Sequence, residues 1–312
     1  MVFQEFTYLS ANGKTPIHAV EWLPEGTPIA VLQITHGVSE HILRYEPFAR
    51  YLTDRGFAVV GHDHLGHGGS IISGKGPLYF GPKGSWDIVV QDLEVRRQLA
   101  REQFPSIPYF LLGHSMGSFV LRTHLIRYPG VSNGAIIMGT GQMPQLILKG
   151  GILVARLEGS RVGEDQPSPL VNKMAFGPYN KPFAPNRTPY DWLSANPQNV
   201  DFYISQPLCG GIPSTGLFRE MLGGMSYIAA AKNLCKMDVN TPVLFVSGEQ
   251  DPVGDMGKGV RRAYEIFLAA GVRDVGLKFY PGLRHEILNE DCREEVFQDL
   301  FHWMGTKTAA PL

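Results

Sequence analysis

A chain of 312 residues with 44% hydrophobic and 18% charged side chains can bury one large α/β core or two smaller ones. Its 28 Lys and Arg against 29 Asp and Glu leave a formal net charge of -1, so no basic surplus points to nucleic acid or to an anionic membrane surface. Met1-Val2-Phe3-Gln4-Glu5 lacks the basic-then-apolar pattern of a secretory signal, no apolar run approaches bilayer length, and Cys209, Cys235 and Cys292 form no C-x-x-C. A reduced, cytoplasmic protein is expected.

Residues 3–9 and 17–23 read as strands joined by the turn Ser10-Ala11-Asn12-Gly13-Lys14. Residues 30–34 form a third strand, ending in Thr35-His36-Gly37. Residues 45–55 carry Phe48, Ala49 and Leu52 at helical spacing and stop at Gly56. A strand over 57–60 runs into Gly61-His62-Asp63-His64-Leu65-Gly66-His67-Gly68-Gly69-Ser70. A long helix follows over about 86–103, with Ser85 as its expected N-cap. Then come a strand beginning at Tyr109, a helix from near Met116 to Tyr128-Pro129-Gly130, and a strand over 135–138. From 142 to 237 the alternation breaks down into a stretch rich in Pro, Gly, Asn and aromatics. It resumes with a strand over 242–246, a helix over about 259–270, a strand over 275–280 and a last helix over about 293–304, with a loose tail beyond. Short apolar strands alternating with helices predict a mostly parallel sheet covered on both faces, with 142–237 inserted into a single domain spanning 1–312.

The chain is organised around Tyr109-Phe110-Leu111-Leu112-Gly113-His114-Ser115-Met116-Gly117-Ser118. A serine on a tight strand-to-helix turn projects its hydroxyl clear of the sheet. Side chains two places before and two after would collide, so G-x-S-x-G is required there. The free N–H groups of the following helix face the space above the serine and can stabilise negative charge on a substrate oxygen. A small-residue turn that merely packs a helix on a strand has the same local pattern.

A serine needs a base, and the base needs an acid to orient it. In a parallel sheet, chemistry collects at the C-terminal ends of strands. The strand at 242–246 ends in Ser247-Gly248-Glu249-Gln250-Asp251-Pro252, which offers Asp251 at the loop tip and Glu249 as its competitor. The last strand ends in Pro281-Gly282-Leu283-Arg284-His285-Glu286. His285 alone among ten histidines follows a late strand in the order serine, acid, histidine; His302 lies inside the last helix. After the third strand, His36-Gly37 suits a backbone amide aimed at the oxyanion, with Val38 and Met116 as the two main-chain donors. His62, His64 and His67 have the spacing of a zinc hydrolase site. Gly66 stands where such a motif needs Asp, so Asp63 reads as a turn-former, the histidines as hydrogen-bonded loop residues, and no metal is expected.

Taken together, His36-Gly37-Val38-Ser39-Glu40-His41 with Arg44-Tyr45, Gly61 to Gly68, Gly113 to Gly117, Gly248 to Asp251 and Arg284-His285-Glu286 resemble the α/β-hydrolase family. Within it they are most similar to monoacylglycerol lipases and bacterial lysophospholipase-like hydrolases. The resemblance implies an α/β-hydrolase fold with an inserted cap, or lid, at 142–237 over an apolar acyl tunnel. It implies a triad of Ser115 as nucleophile, His285 as general base and then acid, and Asp251 orienting His285. It places Glu40 and Arg44 near the polar head of the substrate, with a mutual salt bridge as the alternative. Ser118 replaces the glycine relatives commonly carry, and the insert, with Tyr190-Asp191-Trp192-Leu193 and Cys209-Gly210-Gly211, is more bacterial in type. Its aromatics and methionines are read equally as core packing.

These readings predict a cofactor-independent serine hydrolase that cleaves carboxylic esters of monoacylglycerol or lysophospholipid type. The same scaffold also carries acyltransferases and peptidases, and a non-catalytic binding module would have lost a triad member. The expected partner is a lipid or small-molecule ester. An apolar cap surface could rest transiently on a membrane, although no amphipathic basic helix requires it.

Overall fold

The computed structural model describes residues 1–308; the tail expected to be loose ends in 309–312, outside the described residues. The chain begins with an antiparallel hairpin, β1 (Val2–Leu9) and β2 (Pro16–Leu23), closed by a turn with Gly13 at φ +73°. β3 (Ala30–Thr35) leads through a 3₁₀ turn, Ile42–Tyr45, into α1 (Glu46–Thr53). The expected helix at 45–55 is shorter because Pro47 sits in its first turn, where a missing N–H costs nothing. Then follow β4 (Phe57–His62), α2 (Ser85–Gln103), β5 (Tyr109–His114), α3 (Met116–Arg127) and β6 (Gly134–Met138).

Between β6 and the next strand lie α4 (Gln145–Val162), α5 (Pro169–Phe176), 3₁₀ turns at Gly177–Phe183 and Asp191–Leu193, α6 (Pro197–Ser205), α7 (Thr215–Ile228) and α8 (Ala231–Leu234). The stretch read as irregular is therefore largely helical. β7 (Val243–Gly248), α9 (Lys258–Ala269), β8 (Val275–Tyr280), a 3₁₀ turn at Ile287–Asn289 and α10 (Arg293–Gly305) complete the chain.

The strands form one eight-stranded sheet in the order β1-β2-β4-β3-β5-β6-β7-β8, parallel except at β1–β2 and β2–β4. β3, β4, β5, β6 and β7 are buried at every residue, which requires helices on both faces. Alternate residues of β5 serve the two sides. Tyr109 and Leu111 pack with Leu93 of α2, Leu121 of α3 and Phe267 of α9; Phe110 and Leu112 pack with Phe48 of α1 and Phe297 of α10. β3 has β4 on one side and β5 on the other, so the strand order reverses there and opens a crevice beyond the strand ends.

Ser85 is not the N-cap of α2. Gly84 holds that place at φ +94°, and the first turn is capped from the insert: a Glu220 oxygen of α7 accepts the N–H groups of Gly84 (3.0 Å) and Trp86 (3.1 Å).

Candidate active site

Ser115 sits between β5 and α3 at φ +53°, ψ −121°, a conformation an L-residue adopts only under constraint. The glycines around it are forced. A Cβ at Gly113 would lie 2.5 Å from the Gly117 carbonyl, and one at Gly117 would lie 2.1 Å from the Thr35 carbonyl and 2.5 Å from that of His36. Ser118 is accommodated beside this turn, its hydroxyl turning back to donate to the Ser115 carbonyl at 2.5 Å.

Ser115 borders a cavity of about 480 Å³, and His285 lines the same cavity. Asp251, fully buried at the end of β7, accepts the His285 Nδ1 proton at 2.9 Å; its other oxygen accepts the Val253 amide at 2.9 Å. That bond leaves the Nε2 lone pair as the free basic position of the ring. Glu249 is exposed and its amide donates to the Tyr280 carbonyl, so the carboxylate that pairs with His285 is that of Asp251. His302 points outward from α10.

Val38 and Met116 line the cavity beside Ser115, and among the described residues neither amide is used in a turn or loop hydrogen bond. Glu40 and Arg44 form the salt bridge (2.7 Å), and Arg44 also grips Glu286 with two bonds of 2.6 and 2.8 Å. Glu40 further accepts from the Gly37 amide (2.5 Å) and the Tyr45 hydroxyl (2.9 Å). Burial would raise the Glu40 pKa, but the hydrogen bond from His114 and the charge of Arg44 hold it well below the usual carboxylate range. Conversely, burial would lower the His114 pKa, and Glu40 raises it instead. The His114 ring lies 4.7 Å from that of His285 and hydrogen-bonds its carbonyl at 3.3 Å.

Sequence reasoning gave no role to the ties between the insert and the His285 loop. Trp192 packs its ring 5.1 Å from His285. Buried Glu290 accepts from the Ser194 hydroxyl (2.7 Å) and the Ala195 amide (2.9 Å), and the Glu286 amide donates to the Leu193 carbonyl (2.7 Å). The one available signal was the run of charged residues around His285 itself. The cavity wall is mostly apolar, with Phe119, Phe176, Phe218, Met221, Leu222 and Met225 among its residues beside Asn172, Lys173 and Asn180.

Asp63 is more than a turn-former: it accepts from the Ile42 amide, the Gly69 amide and His18 Nδ1, each at 2.8 Å, tying β2 and the 61–70 turn to the loop after β3. His62, His64 and His67 are buried, and no group of three or more His, Cys, Asp or Glu able to hold a metal ion occurs among the described residues. No helix among them is long and apolar enough to cross a membrane.

An open, mostly parallel sheet with a strained serine at its switch point, and a buried Asp–His pair whose histidine lines the same cavity, belong to the α/β-hydrolase fold. A family model described as serine aminopeptidase, S33 (Hydrolase_4), matches residues 26–292, and the chain belongs to that family. It is 28% identical to human monoglyceride lipase, over 92% of this chain and 86% of that protein. It is equally 28% identical to the monoacylglycerol lipase of Mycolicibacterium smegmatis, over 96% of each. The solved structure of a thermostable carboxyl esterase from Bacillus coagulans, in complex with glycerol, superposes with a TM-score of 0.90 at 29% identity, covering 98% of this chain and 99% of that one.

Proposed function

We propose that the protein hydrolyses carboxylic esters of monoacylglycerol type through a Ser115–His285–Asp251 triad. The observation that carries this reading is His285, held at Nδ1 by buried Asp251, bordering the same apolar cavity as the strained Ser115. His285 takes the Ser115 proton as the hydroxyl attacks the ester carbonyl. The Val38 and Met116 amides hold the oxyanion, and His285 returns the proton to the leaving alcohol. Water, activated by the same ring, then releases the fatty acid. The apolar wall suits the acyl chain, and the polar end beside Ser115, where the Glu40–Arg44 pair lies, suits a small hydroxylated head group. The names of the relatives support the same substrate class.

An aminopeptidase reading has the family description behind it. A substrate ammonium needs an unpaired carboxylate, however, and Glu40 and Glu286, which border the cavity, are both committed to Arg44. Residues 142–237 act as the cap over this cavity. Exposed Met143 and Met174 line it, and Leu146 and Leu170 near them in the chain are exposed too, a surface that suits transient contact with lipid.

The direct test is Ser115→Ala. It lowers p-nitrophenyl butyrate hydrolysis by about 10⁴-fold or more and abolishes labelling by a fluorophosphonate. A Ser115→Ala protein that hydrolyses at the wild-type rate contradicts the proposal.

A further inference from the structure

His285 stands on a loop between β8 and the 3₁₀ turn at Ile287–Asn289, with no helix or strand of its own to hold it. Four hydrogen bonds do so instead. In the peptide unit joining Leu283 to Arg284, the carbonyl accepts from the Gln250 amide at 2.9 Å and the N–H donates to Glu290 Oε1 at 3.2 Å. In the unit joining His285 to Glu286, the carbonyl accepts from His114 Nε2 at 3.3 Å and the N–H donates to the Leu193 carbonyl at 2.7 Å. A peptide unit is planar, so a bond at each end fixes its plane. The two fixed planes bracket the Arg284–His285 pair and set the direction in which the His285 ring leaves the chain.

Two of the four anchors come from the strand-end loops, Gln250 beside Asp251 and His114 beside Ser115. The other two depend on the insert. Glu290, 2% exposed, follows the 3₁₀ turn, which brings its carboxylate back to the Arg284 amide. Its Oε1 also accepts the Ala195 amide at 2.9 Å, and its Oε2 accepts the Ser194 hydroxyl at 2.7 Å and the Asn196 amide at 3.2 Å. One carboxylate thus grips both the base loop and the insert segment that directly follows Leu193. All four donors are neutral, and an ionised carboxylate has the lone pairs to accept them together.

We propose that Glu290 is a positioning residue for His285, its carboxylate pinning the insert at 194–196 to the Arg284 amide and so fixing both insert-side anchors of the base loop. The inference rests on the Ser115–His285–Asp251 reading. Trp192 lies in the same insert segment with its ring 5.1 Å from that of His285, so the clamp also holds the aromatic wall against which the base stands. The Arg284 side chain adds a bond to the Ser194 carbonyl at 3.1 Å. Residues 191–196 therefore belong to the support of the base rather than to a separate lid.

The test compares Glu290→Ala, which removes every acceptor, with Glu290→Gln, whose Oε1 still accepts the Arg284 and Ala195 amides. Active sites are counted with a fluorophosphonate. For a p-nitrophenyl ester, Glu290→Ala lowers kcat about 100-fold while KM moves less than about threefold, and Glu290→Gln stays within about fivefold of wild type. A carboxylate that only kept the insert in shape would raise KM instead, because Phe176, Phe218 and Met221 of the insert wall the cavity. The low-field ¹H resonance of the His285 Nδ1 proton persists in Glu290→Gln and is broadened by exchange with water in Glu290→Ala. Ser194→Ala, which removes a single bond, lowers kcat about threefold and carries the test where Glu290→Ala fails to fold.

A folded Glu290→Ala with kcat within about threefold of wild type overturns the proposal, whatever its thermal midpoint. So does a loss of kcat with the Nδ1 resonance unchanged, or a Glu290→Gln as slow as Glu290→Ala. Where Glu290→Ala does not fold, an unchanged kcat in Ser194→Ala overturns it. Wild-type protein left unlabelled by the fluorophosphonate instead overturns the Ser115 reading, and this inference with it.

Discussion

At residue 251 a single oxygen sets the orientation of the His285 ring. Asp251 accepts the Nδ1 proton of His285, and Ser247 and the Val253 amide hold the carboxylate in place. Asp251→Asn keeps the shape but offers an amide that can donate to Nδ1, favouring the wrong tautomer. kcat on a soluble ester falls by about 10⁴-fold with little change in KM; steady-state kinetics of the purified variant check this, and a loss under tenfold contradicts the assignment. Much of this site was legible in the sequence, because its determinants are local. Gly113 and Gly117 are demanded by contacts of 2.5 and 2.1 Å around the turn, and the serine, acid and histidine follow strand ends in order. What local pattern cannot show is which carboxylate the fold buries. Glu249 and Asp251 stand two residues apart, and only packing leaves one exposed and the other buried. The Arg44–Glu286 pair joins residues 242 apart, a distance no motif spans.

At the scale of elements, the insert is where sequence reasoning had least purchase. α4 runs inside out: Leu146, Ile147, Leu153 and Leu157 face outward, from 56% to 82% exposed, whereas Leu148, Ala155 and Gly159 face inward. Glycine lets the facing helix approach, since a Cβ at Gly159 would lie 3.0 Å from Thr215 Oγ1 and one at Gly151 3.0 Å from Leu222. Leucines outside and small residues inside invert the usual amphipathic signal, so the pattern does not announce a helix. The α2 cap was misplaced for a related reason: its acceptor, Glu220, comes from α7, well over a hundred residues further on. The exposed leucines of α4 predict a lipid-contact face. Replacing Leu146 and Leu153 together by Asp lowers co-sedimentation with phosphatidylcholine vesicles several-fold and leaves hydrolysis of a soluble ester within about twofold, as both positions are exposed. Equal co-sedimentation of variant and wild type contradicts the assignment.

For the whole molecule, the parallel sheet was readable because strands buried on both faces appear as unbroken apolar runs. The strand order was not, since it is set by crossovers rather than by composition. The whole molecule also carries an acid sensitivity. Burial lowers the pKa values of His36, His41, His62, His64, His67 and His124, with His62 and His67 brought down to about 3. Such groups stay neutral in the folded state while the unfolded chain binds protons below pH about 6.5, so stability is lost as the pH falls from there. Each contributes up to about 1.4 kcal/mol per pH unit. Asp92, raised to about 6 by burial, works the other way, as do His18 and His114, whose pKa values are raised. The histidines outnumber these groups, so the urea midpoint falls steadily from pH 6.5 towards pH 4.5; a flat profile over that range contradicts the account. Action of the triad on a monoacylglycerol is open to one decisive assay. Fatty-acid release is followed from a medium-chain monoacylglycerol and from a lysophosphatidylcholine of matched chain, with Ser115→Ala as the blank. Release is rapid from the monoacylglycerol, small from the lysophospholipid and absent from both with the variant. No release from the monoacylglycerol by an enzyme whose Ser115 still reacts with a fluorophosphonate would contradict that action.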